Sequence, residues 1–206
     1  MKRLKPYLLK NRIEAGCDEA GRGCLAGPVT AAAVILDPRR PIKGLNDSKQ
    51  LTEKLREELA PEIRANALAW AVAFVDAAEI DRINILKASI LAMHKALDQL
   101  VLKPEHILVD GNRFYAYPDI EHTTVIRGDG IFQSIAAASI LAKTARDAYM
   151  QQIHSEFPDY LWSNNKGYPT IAHRNAIARI GSCHYHRKSF TLLGPQLSLD
   201  LEEGEL

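Results

Sequence analysis

"GCDEAGRGCLAGPVTAAAVIL", Gly16–Leu36, decides how the rest of the chain is read. Ile13–Asp18 is an apolar lead-in that predicts a strand closing on two adjacent carboxylates, Asp18 and Glu19. Gly21-Arg22-Gly23 and Gly27-Pro28 then punctuate a turn. Val29–Leu36 is almost continuously apolar and predicts a second, buried strand, ended by Asp37-Pro38. Adjacent strand residues point to opposite faces, so Asp18 and Glu19 can share one site only if the strand ends or bulges there. Ala20-Gly21 directly after the pair predicts such an end or bulge.

Working outward, Ala67–Val75 (ALAWAVAFV) alternates bulky and small residues at period two and predicts a third strand. The three form an antiparallel meander, with Ser48–Ala65 as a helical excursion. Asn84–Val101 carries apolar residues at helical spacing. His106–Asp110 (HILVD) is a short buried-type strand ending in an acid, and Thr123–Ile126 is a fifth strand leading to Arg127-Gly128-Asp129. Ile131–Ser155 is a long alanine-rich helix. Thr170–Ile180 is a shorter one, stopped by Gly181. Strands first, then alternating helix and strand, predict an α/β fold: a mixed five-stranded sheet flanked by helices. The region from about residue 157 has little strand character and reads as a small helical cap.

The chain has 206 residues, 47% of them hydrophobic and 25% charged, with a formal net charge of +1. No apolar run reaches the length of a membrane span. The basic start, MKRLKPYLLKNR, lacks the apolar core of a secretion signal. Three cysteines, Cys17, Cys24 and Cys183, are too few and too odd for a disulfide framework and fit the reducing cytoplasm. Cys183 with His184 and His186 hints at zinc, but no CxxC pair completes such a site.

Asp18-Glu19, Asp110 and Asp129 occupy one position type, the end of a strand, where sites gather in open sheets. Four converging carboxylates would force some to hold protons at neutral pH, unless a divalent cation offsets them. Oxygen-only ligands suit Mg2+ or Mn2+, and two ions roughly 3.5–4 Å apart can clamp the attacking and leaving oxygens of a phosphodiester. The glycines superficially echo a dinucleotide-binding loop, but that loop must open a helix, and here Pro28 and a strand follow. Close backbone approach to a ligand, with Arg22 offering charge to a phosphate, explains both glycine and arginine. Ser139, Lys143, Arg146 and Asp147 form a polar stripe on the long helix, read either as a solvated face or as part of the site. Ser134 lies near that helix's positive end, and Lys49 follows a loop. His184, His186, Arg187 and Lys188 make a basic cluster suited to phosphates, which would render binding salt-sensitive.

Six blocks in order, "DEAGRGCLAGP", "NDSKQL", "ILVDGN", "RGDG…SIAAASILAKTARD", "NKGYPT" and "HRKSF", resemble ribonuclease HII, the type 2 ribonuclease H family, from about Ile13 to Phe190. Arg22, and the lack of a long N-terminal extension, resemble HII rather than the sister ribonuclease HIII. The resemblance implies a ribonuclease H-like three-layer fold spanning residues 12–193. It implies that Asp18, Glu19, Asp110 and Asp129 are the catalytic, metal-binding carboxylates. It implies that Gly21, Arg22 and Gly23 contact the backbone around a ribonucleotide and that Tyr168 senses its 2′-hydroxyl. Lys49, Ser134, Ser139, Lys143, Arg146, His184 and Arg187 are the further candidate substrate contacts. The implied activity is hydrolysis of RNA in RNA–DNA hybrids and nicking 5′ of single ribonucleotides in duplex DNA, leaving a 3′-hydroxyl and a 5′-phosphate. Arg127 departs from the lysine common at that position but keeps the charge. The 2′-hydroxyl is the only group that marks such a ribonucleotide, and a tyrosine hydroxyl is a suitable detector.

Residues 194–206 read as a flexible acidic tail. Within it, QLSLDL, with Gln196, Leu197, Leu199 and Leu201, resembles the short motif by which bacterial proteins dock on the DNA polymerase sliding clamp. The expected protein is a monomer. Rival readings are another nuclease of the same fold and a non-catalytic hybrid-binding module.

Overall fold

The computed structural model describes residues 4–194. Five strands, β1 (Glu14–Ala20), β2 (Val29–Leu36), β3 (Ala67–Val75), β4 (His106–Asp110) and β5 (His122–Val125), form one mixed sheet in the order β3-β2-β1-β4-β5. β1 and β2 are antiparallel, as are β2 and β3. β4 pairs parallel to β1, and β5 parallel to β4. The helices are α1 (Glu53–Asn66), α2 (Ala77–Ile83), α3 (Ile85–Asp98), α4 (Gln133–His154), α5 (Trp162–Asn165) and α6 (Ile171–Ile180).

The sheet is the middle of three layers. On one face Ala31, Ala33 and Ile35 of β2 pack on Ala88, Ala92 and Met93 of α3. On the other face Ala32 and Val34 pack on α1 and on Ala136, Ala137 and Ile140 of α4. The alanine run on β2 is what lets helices lie close on both sides. Gly16 carries this furthest: a Cβ there would sit 2.2 Å from the Ser134 carbonyl carbon, so the start of α4 rests directly on β1 backbone. That contact holds α4 over the strand that carries Asp18. A third apolar cluster, Leu25, Met150, Tyr160, Trp162, Ala176 and Ile177, joins the far end of α4 to α5 and α6.

β2, β3 and β4 have the bounds their sequence patterns predict, while β5 begins and ends one residue earlier. α2 has no counterpart in the sequence reading. Its signal is the DAAE run, in which Asp76 accepts from the Glu79 amide at 2.8 Å, the N-cap arrangement that starts a helix. The strand end or bulge expected at Asp18-Glu19 is absent. β1 runs on to Ala20 in unbroken register with β2, Asp18 opposite Ala32 and Glu19 opposite Ala31. What stops at Cys17 is the pairing with β4.

Candidate active site

Because β4 stops pairing with β1 after Val109, the last residues of β1 run on past that pairing, and Asp110 lies close enough for its charge to act on both acids. Asp18, on the α4 side, is buried and leans on the Ser139 hydroxyl. Its Oδ1 also accepts from the Glu19 amide at 2.7 Å. Glu19 points elsewhere and takes Arg22 Nη1 at 3.3 Å. Asp129 arrives from a single 3₁₀ turn, Gly128–Gly130, which Arg127 enters with φ 56°. Asp110 Oδ1 accepts from the Gly128 amide at 2.6 Å and so fixes that turn against β4. A Cβ on Gly128 would lie 2.6 Å from Ile135 Cδ1 and 3.2 Å from Val125 Cβ, so glycine lets the turn pack closely here.

The electrostatics are those of crowded acids. Burial first, then the charges of Glu19 and Asp110, hold the Asp18 carboxyl well above its ordinary range. Burial likewise raises Glu19; Arg22 opposes the shift and Asp110 adds to it. Asp129 is pushed up to about 6, by burial and then by Asp110. Its Oδ2 is buried with no hydrogen-bond partner. The nearest cation is Lys49 Nζ, 3.6 Å away on an exposed side chain. Burial works against the Lys49 ammonium, yet Asp129 and Asp47 keep its pKa raised. An all-oxygen donor set, a buried carboxylate oxygen without a hydrogen bond and several acids driven toward their neutral form fit hard divalent cations. Among the described residues no three His, Cys, Asp or Glu side chains are already grouped so as to hold a metal ion. Asp47, in the "NDSKQL" block, is a member that the sequence reading missed. Its charge acts on Asp129, and its own Oδ1 caps the Lys49 amide at 2.9 Å.

The remaining candidates divide into exposed and buried. Arg22 and Gly23 are exposed, and nothing lies within 4 Å of the Cβ position of Gly23. Gly21 differs, with φ 91° and a Cβ direction that meets Arg146 Nε at 2.0 Å, so packing against Arg146 demands glycine here. Tyr168 is 40% exposed, with Lys143 and Arg146 near its ring at 5.6 and 6.0 Å. Lys143 is partly exposed and donates to Asp147 at 2.8 Å. His184 is exposed and stacks near Tyr185. Ser139 bonds Ser48 at 2.8 Å beneath the acids. Ser134 is buried, its hydroxyl unpartnered. Arg146 and Arg187 are fully buried, and all their hydrogen bonds go to main-chain carbonyls. The stripe on α4 is therefore not a solvated face, and these two guanidiniums do not face a groove. Gln196, Leu197, Leu199 and Leu201 lie outside the described residues.

His186 and His173 are also internal. The Cys183 amide donates to His186 Nδ1 and Trp162 Nε1 donates to His173 Nε2, both at 3.0 Å. Those acceptors leave the proton of His186 on Nε2, which faces His173 Nε2 at 3.2 Å, and the proton of His173 on Nδ1, which meets the Tyr168 carbonyl at 2.9 Å. Burial pushes the His186 pKa down to about 4.

Residues 15–193 match the family model for ribonuclease HII. The chain belongs to the ribonuclease HII family. It is a type 2 ribonuclease H, a divalent-metal-dependent nuclease acting on RNA–DNA hybrids. It is 63% identical over 196 residues to the ribonuclease HII of Parabacteroides distasonis, covering 95% of this chain and 98% of the relative. The ribonuclease HII in the PCNA complex from Archaeoglobus fulgidus superposes with a TM-score of 0.73 at 27% identity, covering 90% of this chain and 98% of that one. Bst-RNase HIII in complex with Mn2+ shares the fold, with a TM-score of 0.72 at 20% identity over 94% of this chain and 71% of its own. The sheet and helices are thus the ribonuclease H-like fold. Among the described residues no helix is long and apolar enough to cross a membrane.

Proposed function

We propose that this ribonuclease HII, besides cutting RNA in hybrids, nicks duplex DNA on the 5′ side of a single embedded ribonucleotide, leaving a 3′-hydroxyl and a 5′-phosphate. The observation that carries the reading is the crowding of Asp18, Glu19, Asp110 and Asp129, with the buried Asp129 Oδ2 left without a hydrogen bond and met by Lys49 Nζ at 3.6 Å. These four carboxylates would hold Mg2+ or Mn2+, two ions in the working enzyme. When bound, such ions supply positive charge to the reacting phosphate and ease deprotonation of the attacking water. The chain's own residues do the choosing. Arg22 and Gly23 stand on the exposed side of the loop, placed to meet a backbone oxygen, and Tyr168 presents a ring and a hydroxyl to the ribose. Lys49 stands free enough to swing from Asp129 to a phosphate as cations replace it.

The enzyme works as a monomer in this reading, and the free thiols of Cys17, Cys24 and Cys183 support a cytoplasmic enzyme. Residues 12–193 form the catalytic unit, with 194–206 as a tail that docks on the sliding clamp through Gln196–Leu201. The clamp complex of the Archaeoglobus relative supports that partner. A peptide spanning residues 194–206 with no affinity for the clamp would remove it.

The test is a labelled DNA duplex with one ribonucleotide, incubated with Mg2+ or Mn2+, with a chelator control and an Asp110→Asn variant. A single nick 5′ of the ribonucleotide, abolished by chelator and variant, is expected. Cleavage of long hybrids without that nick would retain the acid site and overturn the single-ribonucleotide reading. Cleavage that ignores ribonucleotides would overturn both.

A further inference from the structure

Within the segment from Gly21 to Pro28, the carbonyls of Arg22, Ala26, Gly27 and Pro28 turn inward onto two arginines. Arg187 Nη1 donates to the Arg22 carbonyl at 2.9 Å, and its Nε and Nη2 both donate to the Gly27 carbonyl, at 3.0 and 2.9 Å. Arg146 donates to the carbonyls of Pro28 at 3.0 Å, Ala26 at 3.1 Å and Lys166 at 2.8 Å. Both side chains are fully buried, and neither forms a salt bridge among the described residues. A guanidinium withdrawn from water is costly unless its donors are met. Here the peptide backbone meets them, so the two arginines act as a frame for the loop. The frame also reaches the Tyr168 segment: the Leu25 amide donates to the Gly167 carbonyl at 2.8 Å, and a Cβ on Gly167 would lie 2.6 Å from the Ala26 carbonyl oxygen.

The frame has a consequence for recognition. In a trans peptide the carbonyl and the next amide point in opposite directions, and no cis bond occurs among the described residues. The Arg22 carbonyl is held inward by Arg187, so the Gly23 N–H is turned outward. That amide makes no hydrogen bond to any described residue, Gly23 is exposed, and the space over it is open. We infer that Arg187 is a positioning residue for substrate: by gripping the Arg22 carbonyl it aims the Gly23 amide at a sugar–phosphate oxygen of the bound strand, while Arg146 holds the same loop in register with Tyr168. The inference rests on the reading of this loop as the ribonucleotide contact. It makes Arg187, which hydrogen-bonds none of the four acids, a determinant of substrate affinity that never touches substrate. Lysine cannot replace it, because a point ammonium cannot span two carbonyls as a planar fork does.

The first measurement uses the full wild-type chain labelled with 15N-glycine, in chelator so that nothing is cut, titrated with the single-ribonucleotide duplex and separately with an RNA–DNA hybrid. The Gly23 amide resonance is expected to move with both. A Gly23 resonance indifferent to both would overturn the inference whether or not any variant folds. The second compares Arg187→Lys and Arg187→Gln with wild type, well below their melting temperatures. Loss of one aligned hydrogen bond predicts that KM rises about tenfold, with kcat and the Mn2+ dependence little changed. A variant that melts earlier but keeps the wild-type KM would show Arg187 to be merely structural and overturn the inference. A wild-type enzyme that cuts hybrids but not single ribonucleotides would instead overturn the proposed function, leaving the hybrid titration to judge Arg187.

Discussion

Asp129→Asn should stabilise the metal-free protein at neutral pH while destroying its response to metal. Asp129 is almost completely buried, with one carboxylate oxygen lacking a hydrogen bond, and its pKa is pushed from 3.8 up to about 6. A carboxyl with a raised pKa in the folded state binds its proton more tightly there than in the unfolded chain. Its penalty is absent below pH 4, grows as pH rises through about 6, and is complete above. At pH 7.5 that shift corresponds to at most about 3 kcal/mol. Solvent entering the open cluster and the partial compensation by Lys49 reduce this to about 1.5 kcal/mol. For a chain of this length that is about 3–6 °C in melting temperature. The assay is thermal unfolding of wild type and variant in chelator at pH 4.5 and 7.5, then with Mn2+. The variant should melt higher at pH 7.5, and the gap should shrink to about a third at pH 4.5, where most but not all of the penalty is gone. Mn2+ should raise the wild-type midpoint strongly at pH 7.5 and weakly at pH 4.5, where protons compete for the same oxygens. A variant that melts below wild type in chelator at pH 7.5, or a gap independent of pH, would refute the reasoning.

Gly21→Ala should cost about 2–4 kcal/mol in urea unfolding, because it combines a left-handed φ with a collision at Arg146, whereas Gly23→Ala should cost under about 1 kcal/mol; similar losses at both would contradict the division of labour within the loop. Arg146→Met should cost about 3–5 kcal/mol by stranding three buried carbonyls, while the exposed Lys54→Met should stay within about 0.5 kcal/mol. Asp47→Asn removes a charge that raises Asp129, so the pH at which Mn2+ begins to protect against unfolding should fall. A midpoint that stays put or rises would remove Asp47 from the cluster.

Much of the fold was legible because its patterns are local. The period-two alternation of Ala67–Val75 and the apolar run of Val29–Leu36 each mark a strand that a sheet can bury on its own terms. The acids were legible for a related reason: a carboxylate at the end of HILVD makes sense only where a buried strand meets a site. α2 was missed because seven residues carry too little periodicity to register, although Asp76 and Glu79 do mark its start. The absent bulge at Asp18-Glu19 has a different cause. Side-chain alternation along one strand is a local rule, but whether two side chains share a site depends on where the neighbouring strand stops, and β4 stops at a place no feature of β1 reveals.

The arginines mark the deeper limit. In sequence a basic residue beside other charges reads as a surface or a phosphate contact, because burying a cation without an anion is expensive. Arg146 and Arg187 evade that expectation through the loop they hold. A loop of glycines and a proline cannot satisfy its own carbonyls by helix or ladder, and buried carbonyls without donors are as costly as buried cations without acceptors. Each deficit cancels the other, so the irregular loop and the internal arginines are one feature, written some 160 residues apart between Gly27 and Arg187. It follows that the glycine motif and the HRKSF motif should tolerate change only together. A chain that lost Arg187 would have to regain inward donors for Arg22 and Gly27 before its Gly23 amide could again face a substrate.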